Sequence, residues 1–369
     1  MIFLLSSIIP QPTGKYAMNR LQAIRPFGQR IWLDNLSREL LASGTLARLV
    51  EEDGIAGVTS NPTIFHKAIA SDPRYQEDLA ALKLRALDAE QCYEALVIPD
   101  IQAACDLLAP QYHASAGDDG YVSLEVSPLL ANDAAGTLAA ARRLWQVVAR
   151  PNLMIKIPAT AAGVEALRTL TREGVNVNIT LLFSLPQVEA VWDGYLAGLQ
   201  QRLEDGNDVK PVKAVASFFL SRVDSLLDAQ LAPELQGKVA VALAKAAYAR
   251  YRQRFHGAEF AALRAAGARP QYLLWASTGT KNAAYSDVLY VESLIGQETV
   301  NTVPDATLAA FRDHGAAAET LPRALEDAMM TLHRVGASGI DLAAVGDKLQ
   351  QDGLKLFVES YQALLELTA

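Results

Sequence analysis

The 369-residue sequence predicts an α/β protein: a single (β/α)8 barrel of the TIM type, with additional helices in its βα connections and at its C-terminus. Three observations carry this expectation. Short runs rich in Val, Ile and Leu recur eight times, the number that closes such a barrel. Each run ends in a polar cluster and leads into a longer stretch of helical periodicity, as parallel strands covered by helices do. No Gly-, Ser- or Pro-rich linker divides the chain, which favours one large barrel over two joined domains.

The elements follow in order. Residues 1–18 begin "MIFLLSSIIP", an apolar run too short to span a bilayer and without the basic start of a signal peptide. They read as a flexible extension, with Met18 available as an alternative start, and residues 19–369 form the barrel domain. "RIWLDN" is the first strand and "IAGVTSNP" the second. A long, mostly helical connection from about residue 62 to 119 leads to "GYVSLEVSP" and then "NLMIKIPAT". Thr160 opens the next helix and Gly174 closes it. "VNVNIT" follows, and its helix starts with Ser184 and Gln187 at capping-box spacing and ends near Gly206. "VKAVASFF" precedes a second oversized connection, from about 223 to 267, before "QYLLWASTG" and "ETVNTVPD". "DATLAAFRDHG" and the Ala- and Leu-rich tail read as closing helices. The competing architecture, an open doubly wound sheet, normally carries a Gly-rich phosphate loop after its first strand, and "LDNLSREL" has none.

Bulk properties narrow the function. A net charge of −8 and a pI near 5.3 give no electrostatic footprint for nucleic acid or an anionic membrane. Cys92 and Cys105 are the only cysteines, which excludes a disulfide framework and suits a reducing cytoplasm. The five histidines, His66, His113, His256, His314 and His333, show no ligand spacing. The expectation is a small-molecule protein of the cytoplasm with no metal.

The chemistry is sought where barrel strands end, because polar residues there converge on one mouth. "PNLMIKIPAT" sets Lys156 inside an apolar run. Lysine is seldom fully buried, so two readings stand: a structural ion pair, or a desolvated amine able to attack carbonyls. Glu125, in "VSLEVS" on the neighbouring strand, is either the ion-pair partner or an acid/base serving the lysine. Asn178 and Thr180, two apart on one strand, point the same way into the lumen. Asp34, Asn61 and Ser217 complete the ring. Each has a structural alternative: Asp34 as the cap of a helix near Leu36, Asn61 before Pro62 as a turn residue, Thr180 as a strand former. Arg222 in "ASFFLSRVD" and Lys281 in "ASTGTKN" follow strands six and seven, where barrels hold phosphate, or else are ordinary surface cations.

Together "LDNLSR", "GVTSNPTIF", "IKIPAT", "NVNITLLFS", "SFFLSRVD" and "WASTGTKN" resemble, in order, the strand-end motifs of transaldolases from about residue 20 onward. The resemblance implies a metal-free Schiff-base transferase of the pentose phosphate pathway, in which the protonated imine is the electron sink and no cofactor is required. Such an enzyme moves a dihydroxyacetone unit from sedoheptulose 7-phosphate to glyceraldehyde 3-phosphate, giving erythrose 4-phosphate and fructose 6-phosphate. By position, Lys156 matches the imine-forming lysine, Asp34 the acid that handles the hydroxyl proton in carbon–carbon cleavage, and Glu125 the group that works through a water. Asn61, Asn178, Thr180 and Ser217 match residues that hold the dihydroxyacetone hydroxyls and the catalytic water. Thr180 counts among the catalytic set and Phe219 among the substrate-binding one. Arg222 and Lys281 fall at the phosphate positions, the second often arginine in the family. The expected partners are small phosphorylated sugars, and the chain is a monomer or homodimer. Fructose 6-phosphate aldolases resemble the same fold but tend to carry glutamine in place of Glu125 and tyrosine in place of Phe219. A non-catalytic sugar-phosphate-binding barrel would keep Arg222 and Lys281 without needing Lys156, Glu125 and Asp34 together.

Overall fold

The computed structural model describes residues 19–369. The extension expected over residues 1–18, Met18 included, lies outside the described residues.

Eight parallel strands close into a barrel in sequence order: β1 (Gln29–Leu33), β2 (Gly57–Thr59), β3 (Tyr121–Glu125), β4 (Leu153–Pro158), β5 (Val177–Leu182), β6 (Ala214–Phe219), β7 (Tyr272–Ala276) and β8 (Thr299–Val303). β8 returns to pair with β1, Val303 against Leu33. All eight expected runs are strands, because a strand covered on both faces must be apolar nearly throughout. The first long connection holds the helices Pro62–Ser71, Pro73–Lys83 and Ala89–Ala114. The second carries Ser221–Leu227, Val239–His256 and Ala261–Ala265. Among the described residues no helix is long and apolar enough to cross a membrane.

Local signals mostly act as expected. Thr160 accepts from the Gly163 N–H, and Gly174 ends that helix at a φ of +90°. The Ser184 cap is a correction. Ser184 is the N-cap residue of Leu185–Glu204, but its side chain makes no capping bond. Gln187 instead reaches back one residue further and accepts from the Phe183 N–H at 2.9 Å. The reason is steric: Ser184 lies under the last helix of the chain, and a Cβ on Gly346 would come within 2.5 Å of its own Cβ.

That last helix, Leu342–Thr368, positions the site as much as the strands do. Gly346, Gln350, Gly353 and Phe357 are spaced four, three and four apart, so they share one face. The face lies across the carboxyl ends of β4, β5 and β6. The Gln350 amide donates to the carbonyls of Ala159 and Leu181, both at 3.0 Å. A Cβ on Gly353 would meet Leu181 at 3.0 Å and Arg222 at 3.3 Å. Further along, Ser360 bonds Thr63 and Tyr361 donates to Glu90. Replacing Gly346 with Ala should destabilise the fold by about 1–3 kcal/mol, the usual cost of overpacking. Thermal denaturation checks this, and an unchanged midpoint would mean that the helix can move off Ser184 at no cost.

Candidate active site

The barrel register sets the floor of the mouth. Glu125 is opposite Lys156, Lys156 opposite Asn178, and Pro158 opposite Thr180, so adjacent strands present these side chains at similar heights. The Lys156 Nζ donates to Glu125 Oε2 at 2.8 Å and lies 3.3 Å from the Ser60 carbonyl. Both partners are buried, at 5% and 7% exposure. Burial raises the Glu125 pKa above its ordinary 4.5, and the neighbouring Lys156 charge only partly opposes this. A carboxyl that burial makes easier to protonate thus touches the lysine nitrogen directly.

A cavity of about 350 Å³ opens above the lysine. Lys156, Asp34, Asn61, Thr180, Ser217, Phe219, Arg222 and Lys281 all line it. Of the ten residues expected at the site from sequence, two are not on its wall. Glu125 sits behind Lys156, and Asn178 is fully buried, accepting from the Ser217 hydroxyl at 2.6 Å and donating to Ser123 at 3.1 Å. Each touches a residue that does line it, Glu125 through Lys156 and Asn178 through Ser217.

Asp34 does not cap the following helix; Ser37 does, accepting from the Leu40 N–H. Its carboxylate instead accepts from Thr59 Oγ1 at 2.7 Å and faces the cavity. Burial raises its pKa, against the opposing effects of the Thr59 hydrogen bond and the Lys156 charge. Asn61 does carry its structural role, with Oδ1 accepting from the Ile64 N–H at 3.0 Å as the cap of Pro62–Ser71. That leaves its amide donors for the cavity it lines.

Thr180 is a residue of β5 that lines the cavity. Its hydroxyl is buried with no hydrogen-bond partner among the described residues. It precedes Leu181, which holds a left-handed φ of +64° at a register break in β5. Such backbone persists only where the surroundings fix it, and the Gln350 bond to the Leu181 carbonyl does so.

At the opposite rim Arg222 and Lys281 face the cavity beside Ser277, Thr278 and Gly279. No carboxylate lies within ion-pair distance of Arg222 among the described residues. Its guanidinium lies 5.4 Å from the Phe219 ring, and desolvation lowers its pKa. A largely buried cation with no counter-charge is a place for an anion.

Phe357 was not legible as a site residue. Its ring lines the cavity with its centroid 5.3 Å from Lys156 Nζ. The signal available was the pair of glycines on its face of the helix, which marks close approach to another element.

Fold and cavity together define the class: a (β/α)8-barrel enzyme whose mouth holds a buried lysine–carboxylate pair at its floor and two cationic groups, Arg222 and Lys281, at its rim. The match to known proteins is more particular. The family model described as Transaldolase/Fructose-6-phosphate aldolase matches residues 31–368. A transaldolase of Thiobacillus denitrificans is 55% identical over 355 residues, covering 94% of this chain and 99% of that protein. One from Neisseria gonorrhoeae is 52% identical over 348 residues, with the same coverage. "Transaldolase 2" of Nostoc sp. is 44% identical over 368 residues, covering 95% and 96%. The chain belongs to the transaldolase/fructose-6-phosphate aldolase family.

Proposed function

We propose that this chain is a transaldolase acting in the pentose phosphate pathway. It carries a dihydroxyacetone unit from sedoheptulose 7-phosphate to glyceraldehyde 3-phosphate through a Schiff base on Lys156. The observation that carries the reading is the 2.8 Å contact between Lys156 and Glu125 at the floor of a polar cavity.

The proton on the lysine passes to Glu125, whose burial makes it a better acceptor than an exposed glutamate. The free amine adds to the ketose carbonyl, and loss of water gives a protonated imine. Asp34 takes the proton from the adjacent hydroxyl as the carbon–carbon bond breaks, and the imine receives the electrons as an enamine. The first aldose leaves and the acceptor aldehyde takes its place. Asp34 then returns the proton to the new alkoxide, and hydrolysis frees the product. Thr180, Asn61 and Ser217 hold the hydroxyls of the three-carbon unit, with Asn178 orienting Ser217. Phe219 packs the apolar side, and Arg222 with Lys281 takes the phosphate. Glu125 and Phe219, where aldolases of the family tend to carry glutamine and tyrosine, favour transfer over simple release. Cys92 and Cys105, both free and buried, fit a reducing compartment, and we place the activity in the cytoplasm.

Borohydride with fructose 6-phosphate should attach a reduced sugar adduct to Lys156, read by peptide mass. A label on Lys213 in its place would overturn the assignment. Lys213 is also buried in an apolar run, but at the amino end of β6, where it bonds Asp118 at 2.6 Å. A coupled assay should show transfer to glyceraldehyde 3-phosphate exceeding release of free dihydroxyacetone.

A further inference from the structure

We infer that Phe357 is a specificity-determining residue: it sets how often the lysine-bound enamine is passed to an aldehyde rather than lost to water. The inference rests on the imine reading above and assigns its outcome to a residue just over two hundred positions from the lysine.

Polar groups approach the Lys156 nitrogen from Glu125 and the Ser60 carbonyl. The Phe357 ring faces it from the terminal helix, within the distance at which an aromatic face attracts a cation. The ring is 5% exposed and forms part of the cavity wall, so it covers the reacting nitrogen with a surface that cannot hold water. It cannot easily swing away. The helix that carries it is fixed at Gln350 to the ends of β4 and β5, at Gly346 it packs too closely for a side chain, and a Cβ on Gly353 would crowd Leu181 and Arg222.

Two fates compete once the first aldose has left. In transfer, the enamine carbon attacks the acceptor aldehyde: a carbon–carbon bond forms, the aldehyde oxygen gains a proton, and the protonated imine is restored. In loss, the same carbon takes a proton from water. Hydroxide then adds to the iminium carbon and the carbon–nitrogen bond breaks. Dihydroxyacetone and the free lysine amine result, with one water consumed. Only the second route needs water beside the enamine before an acceptor arrives, and the Phe357 ring occupies that approach. The ring also favours the cationic imine over the neutral amine, which holds the unit on the enzyme between substrates.

The test compares the parent enzyme with Phe357→Ala and Phe357→Leu. Release of dihydroxyacetone from fructose 6-phosphate alone is measured against transfer to erythrose 4-phosphate, with borohydride trapping at Lys156 alongside. The ratio of release to transfer should rise about five- to thirtyfold in Phe357→Ala, the equivalent of losing one desolvated cation–aromatic contact. Phe357→Leu, which keeps apolar bulk without the ring face, should fall between, and it carries the test alone if the alanine variant does not fold. In D2O the released dihydroxyacetone should contain one carbon-bound deuterium from the protonated enamine. An unchanged ratio with the imine still trapped would overturn the role of Phe357 and leave the lysine chemistry standing. Failure to trap an imine on Lys156 in the parent would remove both.

Discussion

Lys156→Met should lower kcat/KM for transfer by about 10⁵-fold or more, the scale on which an enzyme loses its covalent nucleophile. Methionine matches the lysine stem in length and apolar character, so the substitution removes the amine while largely keeping the packing around it. The effect on stability is separate and has a sign. Removing one member of a buried ion pair typically costs about 3–5 kcal/mol, because the remaining charge is left uncompensated. Glu125 can escape that cost by taking a proton. Its pKa is already raised by burial, and Lys156 is the attraction that opposes the rise, so the variant raises it further. At low pH, where glutamate is protonated both folded and unfolded, the variant should be nearly as stable as the parent. As pH climbs past the ordinary 4.5, the unfolded glutamate ionises while the buried one holds its proton, and the variant loses stability relative to the parent. Urea denaturation at pH 5 and pH 8 measures the difference. A gap that stayed the same or narrowed as pH rose would show that this lysine does not hold the Glu125 pKa down, and measurable transfer near the parent rate would end the imine reading.

The same pair shows why much of the site was legible. Strands of a closed parallel barrel are buried on both faces, so a charged residue inside an apolar run is conspicuous, and the lumen brings such residues together whatever their sequence separation. Lys156 and Glu125 stood out for this reason, and eight of the ten chosen residues line one cavity. The run alone was ambiguous. Lys213 in "VKAVASFF" carries the same signature, yet it lies at the amino end of its strand, 3.3 Å from the Tyr272 ring and paired with Asp118. Its position in the strand distinguishes it, because the carboxyl ends open on the cavity.

What stayed hidden lies in the terminal helix. Gln350, Gly353 and Phe357 sit in an Ala- and Leu-rich tail whose periodicity says only that one face is covered. Which surface covers that face is a matter of tertiary packing, and no local pattern names Arg222 or Leu181 as the neighbour. The Ser184 cap went wrong through the same contact. Its local sequence favoured a capping box, and the close approach of Gly346 overrode it.

Glu125→Gln should slow turnover by roughly 10²- to 10⁴-fold, the range for loss of a positioned acid/base group. The amide keeps the volume of the carboxylate and an oxygen that can accept from Lys156, so the fold should survive. It cannot take the proton. If Glu125 were only a counter-ion, the amide would preserve most of the rate, whereas an acid/base role predicts a defect in the formation and hydrolysis of the imine. Rapid-quench trapping with borohydride isolates imine formation from the carbon–carbon step that Asp34 serves. The pH profile adds a second reading. In the parent, activity should fall on the acid side at a pH above that of an exposed glutamate, because burial raises both Glu125 and Asp34 and a protonated carboxyl cannot act as a base. The observed limb belongs to the coupled groups together. For imine formation alone, Glu125→Gln should lose this limb, since the step no longer depends on ionising a carboxylate, while the full transfer reaction keeps the limb due to Asp34. Retention of the acid limb in the trapping step would move the base from Glu125 to another group on the cavity wall.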